Sequence, residues 1–182
     1  MRKLSIEELN RMSVEDFKAA PKVPVSVILD NVRSMHNVGA VLRTSDAFRV
    51  EKVYCCGITP TPPHREIRKT AIGAEESVSW EKRADVLELV HELKAAGYQI
   101  LAVEQVDESI GLESLQVKKG EKYALVLGHE IQGVSDEVVA ASDLAIEIPQ
   151  YGTKHSLNIS VATGIVLYKL IIEGLKSLET GS

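Results

Sequence analysis

Short apolar runs rich in β-branched residues recur along this chain, each followed by a loop and then by a stretch with helical spacing. Residues 23–30 (VPVSVILD), 52–57 (KVYCCG), 98–104 (YQILAVE), 122–127 (KYALVL) and 144–148 (LAIEI) read as strands, with residues 77–80 as a further short strand or turn. Most of these runs are nearly continuous in apolar residues, which marks strands buried on both faces. Strands that alternate with helices form a mostly parallel sheet with helices on both faces, so the expected fold class is α/β. In open sheets of this kind ligands lie beyond the carboxyl ends of the strands. The loops that follow the strands are therefore where chemistry is expected.

The stretch 123–170 carries two such loops, one at 128–133 (GHEIQG) and one at 149–156 (PQYGTKHS). The glycines of the first let a ligand or a neighbouring backbone approach closely. After residue 156 an apolar run begins that reads as a helix of roughly 20 residues. Upstream, the loop 31–36 after the first strand leads into a helix expected to start at Asn37, a favoured N-cap residue, with Val38, Val41, Leu42, Ala47 and Phe48 on its apolar face. Arg43 lies on its first two turns. His64, Arg65, Arg68 and Lys69 gather on a short helix after the Pro-rich segment 60–63. The i, i+4 spacing spreads them over a broad cationic face, which suits either a solvated surface or a phosphate backbone. Residues 82–96 form another helix, stopped by Gly97. Residues 1–22 contain two Ser-x-x-Glu/Asp openings, at Ser5 and Ser13, that read as capping boxes of two short helical turns, a brace attached to the main unit. No repeat or boundary divides residues 1–182, so one domain is expected.

Charge narrows the partners. The chain carries 21 Lys+Arg and 26 Asp+Glu, a net charge of −5, but residues 1–83 hold 14 of the cations and 11 of the acids. Any polyanion should therefore meet the N-terminal half. No run approaches the roughly 18 apolar residues of a membrane span, and the first 17 residues lack the apolar core of a secretory signal. Cys55 and Cys56 are the only cysteines; adjacent cysteines rarely form a structural disulfide, and two make no zinc site. A reduced, cytoplasmic setting is expected.

Residue types test the chemistry. GHEIQG has the glycine spacing of a P-loop, but Val134 and Ser135 stand where Lys and Ser/Thr are needed. The first strand is not followed by G-x-G-x-x-G, so a dinucleotide site is excluded as well. His129, Glu130 and His155 are scattered, and no metal is expected. What remains is an ordered set of three segments, each after a strand: N-x-x-x-x-x-R at 37–43, L-G-x-E-x-x-G at 127–133, and I-P-x-x-G-x-x-x-S-L-N-x-S-x-A at 148–162. Together they resemble the SpoU/TrmH family of RNA ribose 2′-O-methyltransferases, of the SPOUT class, over about residues 23–175.

The resemblance implies a C-terminal trefoil knot over about residues 123–175, S-adenosylmethionine as cofactor, RNA (tRNA or rRNA) as substrate, and a homodimer with the active site near the interface. It implies catalytic roles for Asn37, Arg43, Glu130, Ser156 and Asn158, with Glu130 as the partner of Arg43. Cofactor contacts would come from Val103, Glu104, Leu127, Gly128, Gly133, Ile148, Pro149, Ser156 and Leu157, and RNA contacts from Arg33, His64, Arg65, Arg68 and Lys69. Two features depart from the family pattern: Gln150 where Met is common, and Lys154-His155 ahead of the serine. The chain also shows no long basic extension, so RNA recognition is expected from the catalytic domain itself. The alternative is a non-catalytic RNA-binding or assembly protein that kept the fold.

Overall fold

A computed structural model describes residues 1–5 and 7–175; the rest of the expected 1–182 unit lies outside the described residues. Seven strands form one sheet: β1 (Val23–Asp30), β2 (Val50–Cys56), β3 (Trp80–Arg83), β4 (Tyr98–Val103), β5 (Ile110–Gly111), β6 (Lys122–Leu127) and β7 (Leu144–Glu147). Their order is β3-β2-β1-β6-β4-β7-β5, and every pairing is parallel. Parallel neighbours require crossover connections, and α2 (Met35–Ala47), α3 (Arg65–Ala71), α4 (Ala74–Ser77), α5 (Val86–Ala95) and α6 (Asp136–Ala141) lie in them, while α1 (Val14–Ala19) precedes β1 and α7 (Ile159–Leu167) follows β7. Beyond α7 the helix continues in π-helical form over Tyr168–Leu175.

Alternation along each strand divides the buried side chains between two cores. Val27 and Leu29 of β1, with Leu125 of β6, join Phe17, Val38, Ile67, Ala74 and Val166, and so bind α1, α2, α3, α4 and α7 to one face. Ile28 and Val126 point the other way and meet Leu89 of α5 and Val138 of α6. The expected α/β sheet with helices on both faces is the observed one. Among the described residues no helix is long and apolar enough to cross a membrane.

The N-terminal turns form as expected. Ser5 and Glu8 cap reciprocally, and Ser13 accepts from the Asp16 N–H. Phe17 is buried and pins the brace to the core.

Three local expectations are corrected. Helix α2 begins at Met35, capped by Ser34, whose hydroxyl accepts from the Asn37 N–H, so Asn37 lies inside the first turn. Residues 74–77 form helix α4, after Ile72 and Gly73 adopt left-handed φ of 50° and 90°; the strand expected at 77–80 falls at Trp80–Arg83. The second strand begins at Val50, two residues before the expected start.

Candidate functional site

The loop after β6 is built on two glycines. His129 and Gly133 exchange backbone hydrogen bonds at 2.9 and 2.8 Å, folding residues 129–133 into a tight reversal. A Cβ on Gly128 would stand 1.9 Å from the Gly133 carbonyl carbon, so only glycine fits there. Gly133 has φ +72°, and a Cβ on it would meet the Glu104 carboxylate at 2.1 Å. That carboxylate, just beyond β4, accepts from the Val134 N–H (2.9 Å) and the Gln105 N–H (3.0 Å). Buried Asp30, at the end of β1, accepts from the Ser135 N–H and hydroxyl at 3.0 and 2.9 Å. Two carboxylates thus brace the loop by receiving backbone donors.

Glu130 reaches out of this loop to the start of α2. Its oxygens accept from the N–H groups of Arg33 (3.0 Å) and Ser34 (2.9 Å) and from the Asn37 amide (3.1 Å). An anion against a helix N-terminus is favourable both as a hydrogen-bond acceptor and in the helix dipole. This contact also explains where α2 starts, because it fixes residues 33 and 34 ahead of the helix. Burial alone would raise the Glu130 carboxyl, but the Arg33, Ser34 and Asn37 donors outweigh it and hold it below the usual carboxylate range. The Asn37 carbonyl oxygen in turn accepts from the Asn158 amide at 3.0 Å, and the Asn158 oxygen caps α7 by accepting from the Ser160 N–H at 2.9 Å. Glu130, Asn37 and Asn158, from three distant segments, form one hydrogen-bonded chain.

A group held ionised in the fold stabilises it above its unfolded pKa, about 4.3 for Glu, and that contribution disappears as pH falls through the lowered native value. Glu130→Ala is expected to cost about 1 kcal/mol near neutral pH, since solvent screening weakens these charged hydrogen bonds. The difference from wild type in denaturant midpoint should close below about pH 4. A pH-independent difference would contradict the assignment.

Beyond the carboxyl ends of β4, β6 and β7 lies a cavity of about 590 Å³. Val103, Leu127, Ile146, Ile148 and Ala162 give it apolar walls, and residues 128–133 and 155–158 line much of the rest. Of the expected cofactor residues, Val103, Glu104, Leu127, Gly128, Gly133, Ile148, Ser156 and Leu157 all line this cavity, whereas Pro149 is not part of its wall. Glu130 and Asn158 line it too, and Asn37 is joined to both. Gln105, His129, Gln150 and His155 also line it and were not anticipated as contacts. The bracing role of Asp30 was missed as well, although a carboxylate ending a buried strand is a readable signal.

Arg43 is not gathered into this group. It lies exposed on α2, off the cavity wall, and has no side-chain partner among the described residues. The expected Glu130–Arg43 pair is therefore absent within one chain, because Glu130 is engaged by the start of α2. The basic face on α3 is also narrower than its sequence suggests. Arg68 pairs with Glu75 and Glu76, Lys69 with Glu66, and the His64 ring caps the helix by accepting from the Glu66 N–H. Arg65 and Arg33 are exposed and without such partners among the described residues. Cys55 and Cys56 are buried free thiols pushed up by burial to about 11 and about 12, which leaves them unreactive near neutral pH.

Comparison with known proteins places this geometry in context. Residues 24–168 match the SpoU rRNA Methylase family. The chain is 38% identical over 149 residues to the tRNA (guanosine(18)-2′-O)-methyltransferase of Aquifex aeolicus, covering 79% of this chain and 66% of that protein. The crystal structure of the A. aeolicus TrmH/SpoU tRNA modifying enzyme superposes with a TM-score of 0.74 at 35% identity, covering 86% of this chain and 77% of that one. An AdoMet-bound rRNA methyltransferase from Sinorhizobium meliloti superposes with a TM-score of 0.75 at 26% identity, covering 84% of this chain and 58% of that one.

Proposed function

The chain belongs to the SpoU rRNA methylase family, and from that premise we propose that it catalyses S-adenosylmethionine-dependent methyl transfer to a ribose 2′-hydroxyl of tRNA or rRNA. The observation that carries this reading is the chain Glu130–Asn37–Asn158 on the rim of the strand-end cavity. A protein that only bound RNA would have no need of a polar chain joined to a walled cavity from three distant segments. The cavity suits the cofactor: apolar walls for a purine ring and the polar residues of the two loops for its edges. When bound, S-adenosylmethionine supplies a sulfonium-activated methyl group.

The chain's own residues must bring the ribose hydroxyl in line and stabilise the oxyanion that develops. Asn37 and Asn158, fixed by their mutual bond, orient the rim. A guanidinium keeps its proton at physiological pH, so Arg43 acts on the developing alkoxide electrostatically. Its exposed position off the cavity wall supports a homodimer in which it serves the partner subunit's cavity. Helix α7 and the first residue of its π-helical continuation present Val161, Ile165 and Tyr168 at 50%, 39% and 52% exposure with i, i+4, i+7 spacing, one apolar stripe suited to such a contact. The passage of the C-terminal segment from α6 on one face to α7 on the other, through the loop 148–158, supports the trefoil knot. The engagement of Phe17 supports reading the chain as one catalytic domain with an N-terminal brace, and the buried thiols are in keeping with a cytoplasmic setting.

Isothermal titration with S-adenosylmethionine tests the reading. Saturable binding with a dissociation constant well below about 1 mM is expected, and no heat at millimolar cofactor would overturn it. On the RNA side, Arg65→Glu should weaken binding and reduce its salt dependence. Arg68→Glu should do less, because Glu75 and Glu76 already occupy that side chain. Equal effects in filter binding across a salt series would contradict this ranking.

A further inference from the structure

The two loops that wall the cavity hold the two most exposed large apolar side chains of residues 20–172: Ile131, 85% exposed, and Tyr151, 98% exposed. The tyrosine is the more informative. Gln150 and His155, on either side of it in sequence, line the cavity, but Tyr151 does not. Its ring therefore stands outside the wall, where a cofactor held inside has no use for it. The segment 149–158 contains Lys154 and His155 and no acidic residue. Gln105 donates to the His155 carbonyl at 3.1 Å, which ties the loop that carries Tyr151 to the end of β4.

A nearly bare aromatic ring in a loop that also carries Lys154 and His155 and no acid has the chemistry of a platform for an unpaired nucleic-acid base. Bases stack on aromatic rings in single-stranded segments, and adjacent Lys and His donors suit the neighbouring phosphate. We propose that Tyr151 is a positioning residue that stacks on an unpaired base of the RNA substrate next to the nucleotide whose ribose enters the cavity. This rests on the RNA methyl-transfer reading above. It locates part of substrate selection in a side chain that touches neither the cofactor nor the transferred methyl group.

Steady-state kinetics with unmodified bulk tRNA or rRNA, whichever the wild type methylates, test the proposal. Tyr151→Ala is expected to raise the KM for RNA about 10- to 100-fold, with kcat changed less and S-adenosylmethionine affinity within about twofold by calorimetry. Tyr151→Phe keeps the ring and should stay within about threefold of wild type, whereas Tyr151→Leu, apolar but without a π face, should resemble Tyr151→Ala. An unchanged KM in Tyr151→Ala would overturn the stacking role while leaving methyl transfer intact. Wild-type behaviour of Tyr151→Leu would also overturn it, in favour of plain apolar contact. Dissociation of Tyr151→Ala in sedimentation would overturn it in favour of a contact between subunits. Wild-type protein that methylates no RNA would refute the underlying reading instead.

Discussion

Arg43→Ala is expected to lower methyl transfer by about a thousandfold, the scale seen when a donor to a developing oxyanion is removed. S-adenosylmethionine affinity should stay within about threefold, because Arg43 lies outside the cavity wall. Stability should also hold, since the side chain is exposed and has no partner among the described residues. Arg43→Lys keeps the charge but loses the planar fork of donors, and should recover only a small part of the rate. If Arg43 serves the partner subunit's cavity, mixed dimers offer a sharper measurement. Combining Arg43→Ala subunits with subunits defective in cofactor binding should restore activity to one of the two sites. A large loss of cofactor affinity in Arg43→Ala would contradict the assigned role.

Gly128→Ala carries the second large effect, by a different route. The added methyl would lie 1.9 Å from the Gly133 carbonyl carbon and 2.0 Å from the Val134 nitrogen, both backbone atoms with no rotamer to escape into. The reversal at 129–133 must therefore open. The bonds between His129 and Gly133 and the one from the Val134 N–H to Glu104 are then lost or distorted. A cost of about 3 kcal/mol in unfolding free energy is expected, at the upper end for overpacking. Cofactor affinity should fall at least about a hundredfold, because the loop is a wall of the cavity. Gly152→Ala is the matched control: a Cβ there meets nothing within 4 Å, and little change is expected. Equal tolerance of both substitutions in chemical denaturation would mean that the loop is not held as described.

The sheet was legible because its strands announce themselves. Residues 23–30 and 122–127 are apolar throughout or nearly so, and both prove to be central strands buried on both faces. Strand order was not legible, because the pairing of β1 with β6 joins segments far apart in sequence and no local pattern encodes it. Ser34 and Asn37 are both good N-caps, and local preference alone does not choose between them. The choice is made by Glu130, which holds the N–H groups of residues 33 and 34 from a distant loop. The same long-range contact explains why Glu130 does not meet Arg43: charge suggested an ion pair, but backbone donors at a helix start are nearer and fixed. On α3 the four cationic or titratable side chains were visible in sequence. The pairing of Arg68 with Glu75 and Glu76 depends on how α3 turns into α4 at Ile72 and Gly73, whereas Lys69 meets Glu66 within α3 itself.

The central claim is the site of the transferred methyl group. The most direct measurement is incubation with methyl-labelled S-adenosylmethionine and unmodified tRNA and rRNA, followed by complete digestion and separation of nucleosides. Label is expected in a 2′-O-methylnucleoside, falling about a thousandfold with Arg43→Ala. Label on a base, or no label in either RNA from protein that binds the cofactor, would contradict it.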